Sequence, residues 1–348
     1  MKKAAAAKSR IGTSAVRSGR LLEILSSFPG RPVAVWGDLI LDEYLFGTTR
    51  RVSREAPVLI LRHAGSEFTL GGAGNALLNL KALGAEPHPV AVVGRDEAGR
   101  TVLNILKKNR IPLHGVQVRT GYKTPLKTRI LAGEENTRKQ QILRLDRESR
   151  VPDSAEIRGS MVRELTHAAR RCRALLISDY DYLTVQEEIF RRVLPRFKKA
   201  GRPVTLDSRF RILRFPGVTA ATPNEPEAAE AARSEIGDDA RRLLAAGRSL
   251  LSRLGAHALL ITRGSRGMAL FEKNRPPFLI PVHGTTHIVD VTGAGDTVIS
   301  VFTLSLACGA AFAEAALLAN IAGGLAVMKK GTAAVGLDEL KKAVSTEP

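Results

Sequence analysis

Near its carboxyl end the chain reads Asp290-Val-Thr-Gly293-Ala294-Gly295-Asp296-Thr297, and no charged residue follows until Glu314. Glycines at 293 and 295 let the backbone pass close to a ligand. The free amides at a helix start point outward and, with the helix dipole, favour an anion. A carboxylate at the same helix start can take a proton from a hydroxyl. An anion hole and a base within four residues suit phosphoryl transfer, which is mostly positioning and charge stabilisation. On spacing alone, Asp296 reads equally well as a first-turn acid that only steadies its helix.

Such a site needs a scaffold, and the chain supplies alternating short apolar runs and helix-length segments. Pro32–Trp36, Val90–Val93, Ala174–Ile177, Pro203–Leu206 and Ala258–Ile261 read as strands, and Gly71–Leu83 reads as a helix opened by glycines. Strands separated by helices predict an α/β fold with a largely parallel sheet covered on both faces. Asp38, Asp179, Asp207 and Thr262 each follow a strand, and ligands of open α/β sheets bind beyond the carboxyl ends of strands. Each of these residues alone could be a helix cap; their recurrence points to one shared edge. Segments 42–63 and 122–145 lack a helical period and read as small strands forming a lid. The stretch from Thr297 to Ala313 falls short of the roughly 20 apolar residues a membrane span needs, and reads as a pair of buried helices.

Composition sets outer limits. At 44% apolar residues, the 348-residue chain can bury a sizeable core. Its two cysteines, Cys172 and Cys308, have no metal-binding spacing and fit a reducing, cytoplasmic setting. Six of the +19 net charges sit in residues 1–20, which carry no acid and no apolar leader core, leaving +13 on the body. Residues 1–20 are expected to be a disordered basic arm, and 21–348 one domain with its lid. The charge allows a nucleic-acid partner, but few aromatics and no zinc-finger or RNP pattern accompany it. Gly94-Arg-Asp-Glu-Ala-Gly99-Arg100-Thr101 nearly spells a P-loop, but Arg100 stands where the loop needs Lys.

The Asp290–Thr297 segment resembles the D-T-x-GAGD signature of ribokinase-like (PfkB) carbohydrate kinases, in the spelling DVTGAGDT. The likeness extends over residues 30–345. It implies a three-layer α/β/α fold with a mostly parallel central sheet and a small β lid. It implies Asp296 as the catalytic base, with Gly293, Ala294 and Gly295 as the anion hole. Gly71-Gly72-Ala-Gly-Asn75 resembles the family's sugar-side glycines and Asn, to be joined by Asp38 and Asp42. Asn224-Glu-Pro-Glu227 is similar to the N-x-x-E motif that organises Mg2+ and its waters near ATP. Thr262-Arg263-Gly264-Ser-Arg-Gly267 resembles the turn beside ATP, and Asn320 falls on the adenine-side helix. Asp290 and Thr292 resemble a loop for a monovalent cation such as K+, held largely by carbonyls.

Within the family, the lid resembles that of heptose 7-phosphate kinases of lipopolysaccharide-precursor synthesis. Arg51-Val-Ser-Arg-Glu-Ala-Pro-Val58 is similar to their R-I-S-P-E-A-P-V, and Gln141-Ile-Leu-Arg144-Leu-Asp146 to their Q-x-x-R-L-D. Lys127-Thr-Arg129 and Ser178-Asp179-Tyr180 also match. The expected reaction is phosphorylation of heptose 7-phosphate at the C1 hydroxyl, with Lys127, Arg129, Arg144 and Asp179 on the substrate side. Arg129 and Arg144 suit a substrate phosphate, because guanidinium forks match its oxygens. The chain departs from those kinases after Tyr180, where Asp181-Tyr182-Leu183 replaces a small residue and Lys-Gly. A Lys there could hold a phosphate, so its loss leaves other phosphosugars, sugars or nucleosides open as acceptors. A catalytically retired basic scaffold that binds nucleic acid is the reading from a different class. The family likeness also implies a homodimer paired through lid strands, and no membrane partner is expected.

Overall fold

In the computed structural model, residues 18–133, 139–284, 289–329 and 331–346 are described. Residues 1–17 of the expected arm and 134–138 of the second lid segment lie outside them. Ser18–Arg20, assigned to the arm on charge, instead begin α1 (Ser18–Ser26), where Arg20 meets Glu23 and Glu314.

The chain continues through β1 (Pro32–Gly37), the long strands β2 (Leu39–Val52) and β3 (Leu59–Gly72), α2 (Ala73–Ala82), β4 (Glu86–Gly94), α3 (Glu97–Lys108) and β5 (Val116–Arg119). Next come β6 (Leu126–Gly133), β7 (Gln140–Arg147), α4 (Ala155–Arg171), β8 (Ala174–Asp179), α5 (Glu187–Lys199), β9 (Val204–Ser208) and β10 (Ala220–Ala221). The last stretch holds α6 (Glu225–Ala232), α7 (Ala240–Leu254), β11 (Ala258–Thr262), β12 (Met268–Glu272), β13 (Phe278–Ile280), α8 (Ala294–Ala307), α9 (Phe312–Val327) and α10 (Leu337–Thr346).

Nine strands form one sheet in the order β13-β12-β11-β10-β9-β8-β1-β4-β5. Pairing is parallel from β11 to β5, and β12 and β13 add an antiparallel edge. Successive strand residues face opposite sides. Val33 and Val35 therefore join the core under α2 and α8, while Ala34 and Trp36 join the core under α4 and α5. Both sides are buried, which explains why these strands read as continuous apolar runs. Helix α8 is apolar nearly all round and lies between the sheet and α9, with every residue from Asp296 to Ser305 buried. The near P-loop proves to be a helix entry: Asp96 caps α3 by accepting from the Gly99 amide at 2.8 Å. No helix among the described residues is long and apolar enough to cross a membrane.

The lid is a separate four-stranded sheet, ordered β3-β2-β6-β7. Register aligns Asp42 with Lys127 and Asp146, and Tyr44 with Arg129 and Arg144. These six side chains share one face, because alternate residues in paired strands face the same way. Leu143 and Leu145 fall on the other face and are exposed, as are Val52, Leu59, Ile60 and Phe68 elsewhere on the lid.

Candidate active site

Asp296 sits in the first turn of α8, only 4% exposed. Asn75 Nδ2 donates to its Oδ2 at 2.8 Å, and the Tyr180 hydroxyl donates to its Oδ1 at 3.1 Å. Asn75 is itself fixed by Asn79, whose Nδ2 donates to the Asn75 side-chain oxygen at 3.1 Å. Thr297 closes the chain by donating to Asn79 Oδ1 at 3.0 Å. Burial pushes the Asp296 carboxyl up to about 7, and the bonds from Asn75 and Tyr180 restrain it from rising further. A carboxyl poised there is half ionised at neutral pH, the condition in which a general base works well. Sequence reasoning placed Asn75 against a sugar; its amide also points at the Asp296 carboxyl. Tyr180 entered only as part of a lid likeness, and Asn79 was missed. Asn75 and Asn79 lie one turn apart on α2, the only sequence signal for that pair.

Gly293 precedes α8 with φ +79°, and a Cβ there would fall 2.5 Å from Asn75 Nδ2, so glycine is required twice over. The Ala294 amide turns back to the Val291 carbonyl at 3.3 Å. The amides of Gly293, Gly295 and Asp296 find no acceptor among the described residues. Of the three amides expected to face an anion, Gly293 and Gly295 are therefore free and Ala294 is engaged, and the Asp296 amide is free as well.

On one side of α8 lies a mostly apolar cavity of about 220 Å3, lined by Thr262, Gly264, Gly267, Val282, Gly295 and Asn320 among others. Four of the residues expected beside ATP, Thr262, Gly264, Gly267 and Asn320, are thus brought together. Arg263 departs from expectation, because its guanidinium turns away to Glu225 at 2.8 Å. Asn320 is anchored by donating to the Pro281 carbonyl at 2.8 Å. Beside Thr262, with which Asn224 forms a β-bridge, Asn224 and Glu227 form a reciprocal cap on α6: Asn224 Oδ1 accepts from the Glu227 amide, and Glu227 accepts from the Asn224 amide, both at 2.9 Å. Asp207, at the end of β9, lies against them. Burial, then the neighbouring Glu227 charge, raises the Asp207 carboxyl well above its ordinary range. Burial raises Glu227 as well, against the Asn224 amide and Arg209. Two neighbouring carboxyls that are both held toward the neutral form suit a divalent cation. Mg2+ binds through one or two carboxylates and phosphate oxygens while keeping waters, so this pair fits it. Asp207 was singled out in the sequence only as a strand-end acid.

On the other side of α8 lies the lid. Asp42, 3% exposed, faces Gly71, where a Cβ would fall 2.4 Å from its Oδ2. Gly72 has φ +57° and lies close to the Asp38 carbonyl. Three expected substrate contacts are put to other uses. Asp38 is buried and accepts from the amides of Tyr180, Tyr182 and Thr184 at 2.8, 3.3 and 3.1 Å, so it braces the 180–184 loop. Burial and the nearby Asp179 push its carboxyl up to about 6. Asp179 holds the turn after β9, accepting from Ser208 Oγ at 2.7 Å and pairing with Arg211. Arg129 is paired with Asp42 and lies over the Tyr44 ring at 5.4 Å, so its charge is already neutralised. Lys127 and Arg144 do line an open cleft. In the loop before α8, Asp290 accepts from the amides of Thr292 at 2.9 Å and Gly331 at 3.0 Å. Burial alone would raise its carboxyl, but these bonds and Arg129 bring it below the ordinary value.

The sequence pattern described as pfkB family carbohydrate kinase matches residues 32–339. Curated relatives include the Bifunctional protein HldE of Desulfatibacillum aliphaticivorans, 38% identical over 93% of this chain and 65% of that protein. The Bifunctional protein HldE of Geobacter metallireducens is 40% identical over 88% of this chain and 61% of that protein. The chain therefore spans less than two thirds of the length of these relatives. Among solved structures, Arabidopsis thaliana ribokinase complexed with ribose and ATP superposes with a TM-score of 0.69 at 19% identity, covering 92% of this chain and 100% of that one. Phosphofructokinase-2 from Escherichia coli in complex with fructose-6-phosphate gives 0.70 at 16% identity, covering 91% and 98%. Those two likenesses speak to the ribokinase-like fold, and the match over residues 32–339 speaks to descent: the chain belongs to the pfkB family of carbohydrate kinases.

Proposed function

We propose that the protein transfers the γ-phosphoryl group of ATP to the C1 hydroxyl of heptose 7-phosphate, with Asp296 as general base. The observation that carries this reading is the buried Asp296 carboxylate, clamped by Asn75 and Tyr180 between an apolar cavity and a polar lid face. The choice of sugar rests on the lid segments Arg51–Val58 and Gln141–Asp146, and on relatives that share the HldE name.

In this mechanism the acceptor hydroxyl approaches Asp296 from the lid side. Its oxygen forms a bond to the γ-phosphorus as its proton passes to the carboxylate, and the bond to the β–γ bridging oxygen breaks in line. The amides of Gly293, Gly295 and Asp296 meet the charge on the group in flight. Bound Mg2+ supplies positive charge to the phosphates; Asp207 and Glu227 would hold it, with Asn224 acting through water. Asp290 and Thr292 shape the loop whose carbonyls would hold K+. The apolar outer face of the lid would pair with a second copy of the chain.

The test is ATP consumption with Mg2+ and K+ over D-glycero-D-manno-heptose 7-phosphate, fructose 6-phosphate, ribose and adenosine, run beside Asp296→Asn. Turnover of the heptose phosphate, lost in the variant, supports the reading. Turnover of another acceptor alone refutes the choice of sugar. Turnover by Asp296→Asn at the wild-type rate refutes the base.

A further inference from the structure

For Asp296 to work as a base, Asn75 has to present its amide nitrogen to it and not its oxygen. With the oxygen turned that way two acceptors would meet, and only a proton on Asp296 could bridge them. A protonated carboxyl cannot take a proton from an acceptor hydroxyl. The two ends of an Asn side chain have nearly the same shape, so its neighbours must choose between them.

The choice is made on α2. The Asn75 backbone carbonyl can only accept, and Asn79 Nδ2, one turn on, donates to it at 3.0 Å. The same nitrogen donates to the Asn75 side-chain oxygen at 3.1 Å. That oxygen is thereby turned towards Asn79, and the Asn75 nitrogen is left to donate to Asp296 at 2.8 Å and to the Gly293 carbonyl at 3.4 Å. The Asn79 oxygen accepts from the Thr297 hydroxyl at 3.0 Å. That hydroxyl also lies 3.2 Å from the Gly293 carbonyl, which already accepts from the Thr297 amide at 3.1 Å. Its single proton is therefore directed to Asn79, whose oxygen has no other donor among the described residues. The chain of bonds leaves α8 at Thr297, crosses to α2, and returns to α8 at Asp296. Asn75 and Asn79 are each 1% exposed and Thr297 is 2% exposed. At that burial bulk water does not replace a lost partner, so each bond enforces the next.

Resting on the reading of Asp296 as the general base, we propose that Asn79 is a positioning residue for phosphoryl transfer: it holds the Asn75 amide nitrogen on Asp296, so that the site keeps the carboxylate and not the acid, and Thr297 holds Asn79 in turn. Neither residue lines the cavity beside α8 or the cleft along Lys127 and Arg144, so both act through Asn75.

The experiment follows the Asp296 carboxyl carbon through a pH titration, by 13C NMR of aspartate-labelled protein, with its signal identified by its loss in Asp296→Asn. This readout needs no substrate. From a wild-type midpoint of about 7, Asn79→Leu should move the titration up by about one pH unit, the size of one weakened hydrogen bond to a charged group. The ionised fraction at pH 7 then falls about fivefold. Asn75→Ala should move the midpoint at least as far, and Asn79→Leu should add nothing to it, because the effect passes through Asn75. Thr297→Val should shift it the same way by less, and Thr297→Ser, which keeps the hydroxyl, should match the wild type. A midpoint unmoved by Asn79→Leu overturns the proposal, as does a shift that adds in full to that of Asn75→Ala. If Asn79→Leu does not fold, the Thr297 pair decides: equal midpoints in Thr297→Val and Thr297→Ser overturn it. With heptose 7-phosphate as acceptor, the acidic limb of kcat should follow the midpoint while KM for ATP stays within about threefold. A merely structural role would instead lower kcat at every pH and leave the midpoint in place. If the wild type does not turn over that sugar, the choice of acceptor fails, and the NMR midpoints still decide the role of Asn79.

Discussion

Replacing Tyr180 by Phe removes a single hydroxyl, and with it one of the two side-chain bonds that favour the charged form of Asp296. The ring's packing against Gly72 is kept, so the perturbation is confined to Asp296. A hydrogen bond to an ionised group contributes roughly 1.5–3 kcal/mol. At 1.36 kcal/mol per pKa unit, its loss should raise the Asp296 pKa by about one to two units. The sign is fixed: the lost bond stabilised the carboxylate, so the variant holds its proton to higher pH. From a starting value of about 7, the ionised fraction at pH 7 falls from half to about a tenth or less. The assay is a pH profile of kcat. Its acidic limb, near pH 7 in the wild type, should move to about pH 8–9, with the two enzymes converging above it. A limb that stays in place while kcat falls uniformly would refute the reasoning, because Tyr180 would then act on geometry alone. A limb that moves to lower pH would refute it outright.

Asp296→Asn should lower kcat by about 10²- to 10⁴-fold, the usual share of a general base, with KM for ATP little changed. The same variant tests pH linkage. The folded carboxyl lies above its unfolded value, so its contribution to stability falls as pH rises from about 3.8 to about 7. Above that window Asp296→Asn should melt no lower than the wild type, and a lower melting temperature at pH 8 would contradict the assignment. Gly293→Ala should lose activity and cost about 1–3 kcal/mol, from backbone strain and the clash with Asn75, read by denaturant unfolding. Asp207→Asn should raise the Mg2+ concentration needed for half-maximal rate, and an unchanged Mg2+ requirement would remove Asp207 from the cation site. Leu143→Asp together with Leu145→Asp should shift a dimer to monomer in light scattering, because both residues lie on the outer lid face.

Much of this architecture is written in local sequence. Apolar runs such as Val33–Trp36 are buried on both sides, and that alone demands a covered parallel sheet. Glycines at 293 and 295 and the acid at 296 announce the helix start, because backbone conformation and free amides depend on near neighbours. The lid segments lacked a helical period, and their two-residue alternation put charges on one face and apolar groups on the other.

Side-chain assignments among similar acids were not legible. Asp38, Asp179 and Asp207 lie at or near strand ends and Asp42 lies within a lid strand, yet one faces Gly71, two brace loops and one joins Glu227. What separates them is which distant amide or guanidinium folds back onto each carboxylate, as when residues 180–184 close over Asp38 across more than 140 positions. The same holds for cations. Arg129 and Lys127 are two apart on one strand, but Asp42 pairs with the first, while the second has Arg209, Asp146 and Asp42 as charged neighbours. Sequence determined the sheet and the helix start, since these follow from short-range sterics and patterning, while the reading of Asp296 as a base came from the family resemblance and not from spacing. Tertiary structure decided which charges remain available for a ligand, because neutralisation depends on contacts between segments far apart in the chain.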